Sequence, residues 1–404
     1  MPAWRRTLYI LTAAEFIAVA GFTVIMPFLP YFVQELGITD PDQVKLWTGR
    51  LFAAQAVSMA AIAPIWGTLA DRYSRKLMVE RAMFGGALVF MAMGLVQNVQ
   101  QLLALRILQG FLTGTVPAAT ALVASTTPRE SSGSSLGILQ TGIFLGASLG
   151  PLAGGIVADS LGYRAAFWTT SGCLLLAGLA VHLLVGEDSG RPEHPAGRKD
   201  GRLRDGLLIV LRSPALRGVF LIRMLNRLGT RVMGPMLPLL VQQLVLNSDR
   251  LATITGVVTG SGALAAAAGS VFLGRASDRF GHRKVLVLCT FGMGLFYLPL
   301  ALVVTPLQLG ALQVAVGFLM AGALASIAAL LATQVPEGRQ GAVYGVNTTI
   351  VAGANALAPM LGASIAVWWG LRAIFVVAAG LFVVGGLCAL WVIPSSAPDA
   401  CPSK

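Results

Sequence analysis

Charged residues are scarce in this sequence. Only 11% of its 404 residues are charged, while 56% are hydrophobic, whereas soluble globular domains are about 25% charged. A soluble globular fold is therefore not expected. The formal net charge is +12, which in a soluble protein would suggest a nucleic-acid partner, so the positions of the charges must decide what it means.

Side chains that bind metals or carry out chemistry are also few. The three histidines are scattered, and the longest polar stretch is shorter than 30 residues, so the catalytic cluster or large extramembrane domain of a membrane-bound enzyme is not expected. The cysteines show neither a CxxC pair nor a Cys/His spacing, so we expect no disulfide framework, metal site or cofactor. The four cysteines are Cys173, Cys289, Cys388 and Cys401.

The sequence contains instead a series of apolar runs of about 20 residues, the length of a membrane-spanning helix. These runs predict an all-α polytopic membrane protein with six spans on each side of one polar stretch. The twelve predicted spans are 8–34, 47–69, 78–97, 101–124, 135–158, 165–186, 215–243, 252–273, 285–304, 307–332, 342–366 and 372–393.

The polar stretch divides the chain into two predicted domains. We expect an N-terminal six-helix bundle over 1–186, a cytoplasmic linker over 187–214 and a C-terminal six-helix bundle with a short tail over 215–404. Within the linker, 203–211 is predicted to form a short surface helix. The first apolar segment lacks the short apolar region and small-residue cleavage site of a signal peptide, so it is predicted to be a span.

The distribution of Lys and Arg orients the chain. With both termini in the cytoplasm, 20 of these residues fall in cytoplasmic segments and 4 in external ones, which is a strong positive-inside bias. Most of the net charge therefore reflects membrane topology, and no nucleic-acid partner is expected. The other five basic residues lie within spans, and they are Arg50, Arg106, Arg223, Arg227 and Arg231.

The two halves are internal repeats at an offset of 207 or 208 residues. Asp71-Arg72 recurs as Asp278-Arg279, and the prolines of the first span recur in the seventh. Secondary transporters are built from such repeats and hold their substrate near the membrane midplane between them. The recurring prolines are Pro27 and Pro30, matched by Pro235 and Pro238.

The loops after the second and eighth spans resemble the signature of the major facilitator superfamily. The copies read Gly67-Thr-Leu-Ala-Asp71-Arg-Tyr-Ser-Arg75-Lys76 and Gly274-Arg-Ala-Ser-Asp278-Arg-Phe-Gly-His-Arg283-Lys284. The resemblance covers essentially the whole chain and implies the major facilitator fold of two pseudo-symmetric six-helix bundles. In this family the loop latches the cytoplasmic side, which assigns that role to Gly67, Asp71, Arg72, Arg75, Lys76, Asp278, Arg279 and Arg283.

The fifth span carries glycines at every fourth position. Such a stripe forms a smooth helix face that lets another helix approach closely. The pattern resembles the antiporter motif of drug:proton exporters in this superfamily. The stretch Val24-Ile-Met-Pro27-Phe-Leu-Pro30-Tyr31 and the loop from Trp66-Gly67 to Lys76 look closest to bacterial exporters of the multidrug resistance protein G type. The resemblance implies export by antiport across a bacterial inner membrane. The motif residues are Gly146, Gly150, Pro151, Gly154 and Gly155.

Two charged positions in the first half are candidates for proton coupling. Glu15 is the only carboxylate well inside a predicted span, where a charge is costly; a static ion pair is the alternative explanation. Arg106 begins an Arg-xx-xGly pattern that the family associates with proton transfer, and it is expected to lie too far from Glu15 for direct contact.

Three arginines of the seventh span, Arg223, Arg227 and Arg231, follow each other at intervals of four residues and line one helix face. Glu15 can neutralise only one of them. The others predict an anion-binding cavity, because the guanidinium fork suits carboxylate or phosphate. We predict a Glu15–Arg223 pair in the outward-open state. Polar residues near the cavity are Asn226, Gln140, Asn347, Gln55 and Asn355, and interhelical hydrogen bonding is their alternative role.

Together these features predict a monomeric, proton-coupled antiporter that exports a small organic molecule by alternating access within the lipid bilayer. The arginines favour an anionic substrate such as a carboxylate-rich metabolite, a siderophore or an acidic drug. Polyspecific efflux of amphipathic or cationic drugs is the first alternative. Uptake or exchange of organic anions is the second, although the glycine-proline motif argues against it.

Overall fold

The computed structural model describes residues 2–72, 74–128, 131–186, 203–245, 248–335 and 340–392. The side chains of Asp71 and Arg72 and the placement of Gly67 relative to its neighbours lie outside this description, as does most of the predicted linker, 187–202. The latch role of these three residues therefore stays a prediction.

The first half of the chain folds into helices throughout its described part. The first predicted span is interrupted near Pro27 and Pro30, because proline cannot donate the backbone hydrogen bond that a helix needs. The helices are α1 (Ala3–Val24), α2 (Leu29–Glu35), α3 (Pro41–Arg72), α4 (Arg75–Met93), α5 (Val99–Leu112), α6 (Thr115–Thr126), α7 (Ser132–Leu161) and α8 (Tyr163–Leu184).

The surface helix predicted at 203–211 is present as α9 (Leu203–Arg212), where Gly206 packs against α15 at the Ala342 carbonyl. The second half repeats the first, with a short 3-10 turn, Gly234–Met236, at its recurring prolines. Its helices are α10 (Pro214–Met233), α11 (Leu237–Leu244), α12 (Leu251–Phe280), α13 (His282–Leu300), α14 (Pro306–Gln334), α15 (Gln340–Trp369) and α16 (Ala373–Val392).

Nine helical stretches of the described chain are long and apolar enough to cross a membrane. The predicted spans 47–69, 78–97 and 215–243 correspond to α3, α4 and α10, which fall outside this set. Charges explain the difference for α4, which carries Arg75, Lys76, Glu80 and Arg81, and for α10, which carries the arginine column. The side chains in the last turns of α3 lie partly outside the described residues. The fold is all-α as predicted, and the number of twelve spans stays a prediction.

Large apolar side chains remain exposed around the helix bundle, among them Leu88, Leu307 and Trp391. Such surfaces are rare on soluble proteins and suit contact with lipid. Inside the first bundle, Phe28 and Phe32 pack on Phe167 with ring centroids 5.4 and 5.0 Å apart.

The two halves meet at one end of the molecule. Tyr31 Oη donates to the Pro238 carbonyl at 2.6 Å, and Gln34 and Gln242 exchange amide hydrogen bonds of 3.0 and 3.1 Å. Asp159 at the end of α7 accepts from the backbone N–H groups of Ala252 and Thr253, at 3.1 and 2.7 Å, in the first turn of α12. We call this the closed end.

At the opposite end the halves separate. No described atom of another helix lies within 4 Å of the position that a Cβ would take at Gly133 and Gly137 of α7, or at Gly274 of α12. The same two helices are in close contact toward the closed end, where Gly155 packs on the Ala252 carbonyl and Gly256 on the Pro151 carbonyl. We call the separated end, which also carries the loop between α3 and α4, the open end.

Candidate functional site

Glu15 lies in the interior of the first bundle with no exposed surface. Its Oε2 accepts a hydrogen bond of 3.0 Å from the Thr115 hydroxyl, while its buried Oε1 has no partner among the described residues. No Lys, Arg or His side chain of the described chain lies within 4 Å of the carboxyl group. The static ion pair considered from the sequence is therefore absent from this structure.

A break in the helix of the fourth predicted span places Thr115 against Glu15. The sequence predicted one span over 101–124, but α5 ends at Leu112 and α6 begins at Thr115. Gly114 takes a φ of +132°, which favours glycine. Pro117 has no N–H to donate to the Thr113 carbonyl. Gly114 and Pro117 were the signal for a helix break in the sequence, and the prediction of one continuous span missed it.

Arg106 is buried on α5, 1% exposed. Its Nη1 donates to Gln109 Oε1 at 2.9 Å, and its guanidinium lies 5.0 Å from the centre of the Phe52 ring on α3. Its Nε and Nη2 have no partner among the described residues. As expected from the sequence, Arg106 makes no ion pair with Glu15, and its role in proton transfer stays a prediction.

The arginine column of α10 carries no ion pair with the described residues. Arg227 Nε donates to Asn355 Oδ1 of α15 at 2.8 Å, while the buried Nε of Arg223 has no partner. Arg231 makes no hydrogen bond or ion pair within the described chain. The predicted Glu15–Arg223 pair belongs to the outward-open state, so its absence here leaves that prediction untested.

A small pocket lies beside the arginine column. The polar part of its wall comes from α10, and the apolar part comes from α13 and α14. Asn226, predicted near the substrate, contributes a buried Oδ1 without a partner, whereas Met293 and Met320 were not predicted. The wall includes Arg223, Asn226, Arg227, Thr230, Met293 and Met320.

Two predicted substrate residues lie outside that wall. Gln140 on α7 is exposed, and Asn347 on α15 has a buried Oδ1 without a partner in the described chain. Neither hydrogen-bonds to an arginine of the column among the described residues, and their role in substrate binding stays a prediction. Asn355 is the α15 residue that reaches Arg227.

The glycine stripe of α7 packs tightly on α1, as the sequence predicted. A Cβ at Gly146 would lie 2.5 Å from the Phe16 carbonyl oxygen, and Cβ atoms at Gly150 and Gly154 would collide with the Ala20 and Val24 carbonyls. Gly155 and the Pro151 carbonyl face α12 of the other half instead. The motif therefore serves both the packing within one bundle and the contact between bundles.

The described basic residues of the signature loops bond within their own halves. Arg75 Nη1 donates to the Ala121 carbonyl at 3.3 Å, and Lys76 Nζ donates to the His182 carbonyl at 2.9 Å near the end of α8. In the second half, Arg283 Nε donates to the Ala389 carbonyl at 3.5 Å near the end of α16. Asp278 and Arg279 are exposed. None of these described side chains bonds to the other half in this structure.

Known proteins show the same architecture. The chain is 35% identical over 391 residues to the multidrug resistance protein MdtG of Rahnella sp. (strain Y9602), covering 96% of this chain and 94% of that protein. It is also 35% identical to the MdtG protein of Escherichia coli O1:K1 / APEC, covering 94% and 92%. The alignments span nearly the full length of these relatives.

Solved structures agree on the fold. A bacterial homologue of the human lysosomal transporter Spinster, in an inward-facing and unoccupied conformation, matches with a TM-score of 0.78 at 16% identity, covering 97% of each chain. The nucleoside transporter NupG (D323A mutant) matches with a TM-score of 0.80 at 11% identity, covering 96% of this chain and all of that one. The Major Facilitator Superfamily model matches residues 11–222 and again 219–402, so the chain belongs to this family of membrane transporters.

Proposed function

We propose that the protein exports amphipathic organic molecules from the cytoplasm by alternating access, driven by protons that move inward. The observation that carries the proposal is the arrangement of the halves, which are joined at the closed end and separated at the open end. Alternating access requires this arrangement and its reverse. The relatives named multidrug resistance proteins support drugs as the cargo.

The open end is assigned to the cytoplasm. The signature loops there carry many of the 20 Lys and Arg residues that the positive-inside rule places in the cytoplasm. The described state is then inward-open, ready to take up cargo from the cytoplasm. This assignment also places the termini and α9 on the cytoplasmic side.

Glu15 is the proposed proton carrier. An ionised carboxylate with one hydrogen bond and no cation within reach is costly to bury, so the inward-open geometry favours the neutral, protonated group. Movement that brings Glu15 toward a cation such as Arg223 favours the ionised group instead. Alternation between these environments binds and releases one proton per cycle.

The proposed substrate site includes the small pocket between α10, α13 and α14. Its methionines and alkyl side chains suit the apolar part of a drug, because methionine adapts to varied shapes. The arginine column gives a specific reason to favour cargo with an acidic group, since no described acidic side chain pairs with it. Polyspecific drug efflux is the leading proposal, and preference for organic acids is the second.

Two dyes of opposite charge test the substrate proposal. Purified protein in liposomes with an acidic lumen would be offered carboxyfluorescein, an acid, or ethidium, a lipophilic cation. Accumulation of either dye that depends on the pH gradient supports proton-driven efflux, and faster accumulation of the acid supports the anion preference. Equal rates with and without the gradient for both dyes would contradict the proposed function.

A further inference from the structure

The break between α5 and α6 frees a backbone carbonyl, which accepts a hydrogen bond from a tryptophan instead. In a continuous helix, the Phe111 carbonyl would accept from the N–H group of Thr115, four residues later. Here Trp66 Nε1 of α3 donates to that carbonyl at 2.7 Å. Gly110 allows this approach, because a Cβ there would collide with Ser58 and the Gln55 carbonyl of α3.

The other side of the same break holds the proton site. Thr115, the first residue of α6, donates its hydroxyl hydrogen bond to Glu15 at 3.0 Å. The first turn of α6 therefore lies beside the carboxyl group, whose Oε1 is buried and has no partner in the described chain. First-turn N–H groups and the helix dipole attract negative charge, so an ionised Glu15 would draw α6 toward it.

Trp66 also lies at the edge of the signature loop. It directly precedes Gly67, and the guanidinium of Arg81 on α4 lies 3.4 Å from the centre of its ring. The buried Nε and Nη1 of Arg81 have no hydrogen-bond partner among the described residues. The stacked pair therefore joins the last turns of α3 to the first turns of α4 on both sides of the loop.

The second half has none of these features. At the repeat offset, Leu273 stands where the first half has Trp66, and Arg223 stands where it has Glu15. The part of the second half that corresponds to α5 and α6 is the continuous helix α14. Leu273 of α12 packs beside Gly322 of α14. The broken helix, the tryptophan and the carboxylate occur together in one half only, which indicates a shared role.

We propose that Thr115 and Trp66 are positioning residues that transmit the protonation state of Glu15 to the loop between α3 and α4. This inference rests on the proposed role of Glu15 as proton carrier. Loss of the proton draws the start of α6 toward the carboxylate through Thr115. The movement displaces the Phe111 carbonyl from the Trp66 indole, and the Trp66–Arg81 stack then rearranges with the loop.

The titratable groups near Glu15 and near the loop define the controls. Around Glu15, α6 carries no titratable side chain, α7 carries Asp159 at the closed end, and α8 carries Tyr163, Arg164, Cys173 and His182. Beside the loop, Glu80 lies 3.3 Å from His182 Nδ1 and 3.6 Å from Lys76 Nζ. His182→Gln removes the histidine from this contact and controls for a response that starts beside the loop itself.

Hydrogen–deuterium exchange of the full-length protein in lipid nanodiscs tests the route without a substrate. Exchange would be followed at 113–118 and at 67–76, at pH 6 and pH 8, with correction for intrinsic exchange rates. In the unchanged protein we expect protection to change several-fold with pH in both segments. Glu15→Gln should abolish both responses, whereas His182→Gln should keep them.

Trp66→Phe separates transmission from a merely structural role. It retains an aromatic ring under Arg81 but lacks the N–H donor, so the response at 113–118 should remain and the one at 67–76 should disappear. Thr115→Val should remove both responses, and Thr115→Ser should restore them. Trp47→Phe, which changes another α3 tryptophan stacked with an arginine, Arg50 at 5.1 Å, should behave as the unchanged protein.

The inference would be overturned if the pH response at 67–76 persisted in Trp66→Phe. It would also be overturned if the unchanged protein showed no pH response at 67–76. If Trp66→Phe lowers the thermal stability, Thr115→Val against Thr115→Ser still tests the step from Glu15 to α6, and a loop response that persists in Thr115→Val would overturn the inference. Failure of this route leaves proton-driven export intact, because export is measured separately by dye accumulation. If the unchanged protein showed no dye accumulation that depends on the pH gradient, the proposed function itself would be contradicted.

Discussion

Gln34 and Gln242 occupy equivalent positions of the internal repeat and hydrogen-bond to each other, through two amide contacts of 3.0 and 3.1 Å. The pair therefore lies near the pseudo-two-fold axis that relates the halves. Tyr31 and Pro238, separated by 207 residues, make a second contact beside it. These two contacts of the closed end are neutral hydrogen bonds, which are individually weak and suited to the reversible contact that alternating access would require.

Removing the amide pair should favour the outward-open state. Gln34→Ala with Gln242→Ala removes two hydrogen bonds, each worth about 0.5–1.5 kcal/mol, and should shift the equilibrium several-fold. A cysteine replacing Leu152, which packs between α7 and α12, would be labelled faster by an impermeant maleimide from outside. Gln101→Ala, whose bonds stay within one half, is the matched control. Unchanged labelling of the double variant would contradict this account of the closed end.

Asn355 should orient Arg227 for an acidic substrate. Asn355→Ala frees the guanidinium from its 2.8 Å bond, and hydrogen bonds to charged groups are worth about 1.5–3 kcal/mol. Binding of carboxyfluorescein should therefore weaken about tenfold, and Arg227→Ala should weaken it further. Titration of purified protein by fluorescence anisotropy measures both. Arg50→Ala, an exposed arginine outside the cavity, should leave binding unchanged; equal losses for Arg50→Ala and Arg227→Ala would refute a specific site.

The glycine stripe should tolerate no side chain. Gly154→Ala places a methyl group against the Val24 carbonyl, and such overpacking costs about 1–3 kcal/mol. The thermal unfolding temperature in detergent should fall. Gly172→Ala on α8 is the control, because no atom outside its own helix lies within 4 Å of the new Cβ and alanine favours helix. The packing account fails if both variants unfold at the same temperature as the unchanged protein.

Asp159 should stabilise the closed end through its charge as well as its hydrogen bonds. It accepts from two N–H groups in the first turn of α12, where a negative charge contributes about 0.3–1 kcal/mol. Asp159→Asn retains an acceptor and loses the charge, so the Leu152→Cys label should react a few-fold faster than in the unchanged protein. The increase should diminish in high salt, because salt screens the exposed dipole; a salt-independent effect would point to lost hydrogen bonds alone.

The sequence predicted most of the fold because span length and charge bias are physical requirements of the bilayer. It placed Glu15 and the arginine column inside the bundle and predicted the close packing of the glycine stripe. It did not predict the break at Gly114, because the apolar run continues across it and hydropathy does not register backbone geometry. It also could not select the described state, which is closed at one end and separated at the other, because a transporter that works by alternating access forms both states with small differences in free energy.

The partners of the buried charges required three-dimensional distances. Arg227 pairs with Asn355, which lies 128 positions away in the sequence, and spacing alone did not distinguish Asn355 from Asn347. Thr115 contacts Glu15 from the first turn of α6, which begins only after the break at Gly114. Helix periodicity determines which face a residue occupies, whereas side-chain contacts depend on how neighbouring helices approach each other.

The direct test of the central claim is proton movement during transport. Liposomes would hold protein with the open end facing outward and a pH-sensitive dye in an acidic lumen. Adding the transported molecule outside should raise the lumen pH, because inward cargo movement releases lumenal protons, and Glu15→Gln should abolish the rise while retaining exchange of cargo. Transport with no change in lumen pH, or an equal rise in Glu15→Gln, would contradict proton coupling through Glu15.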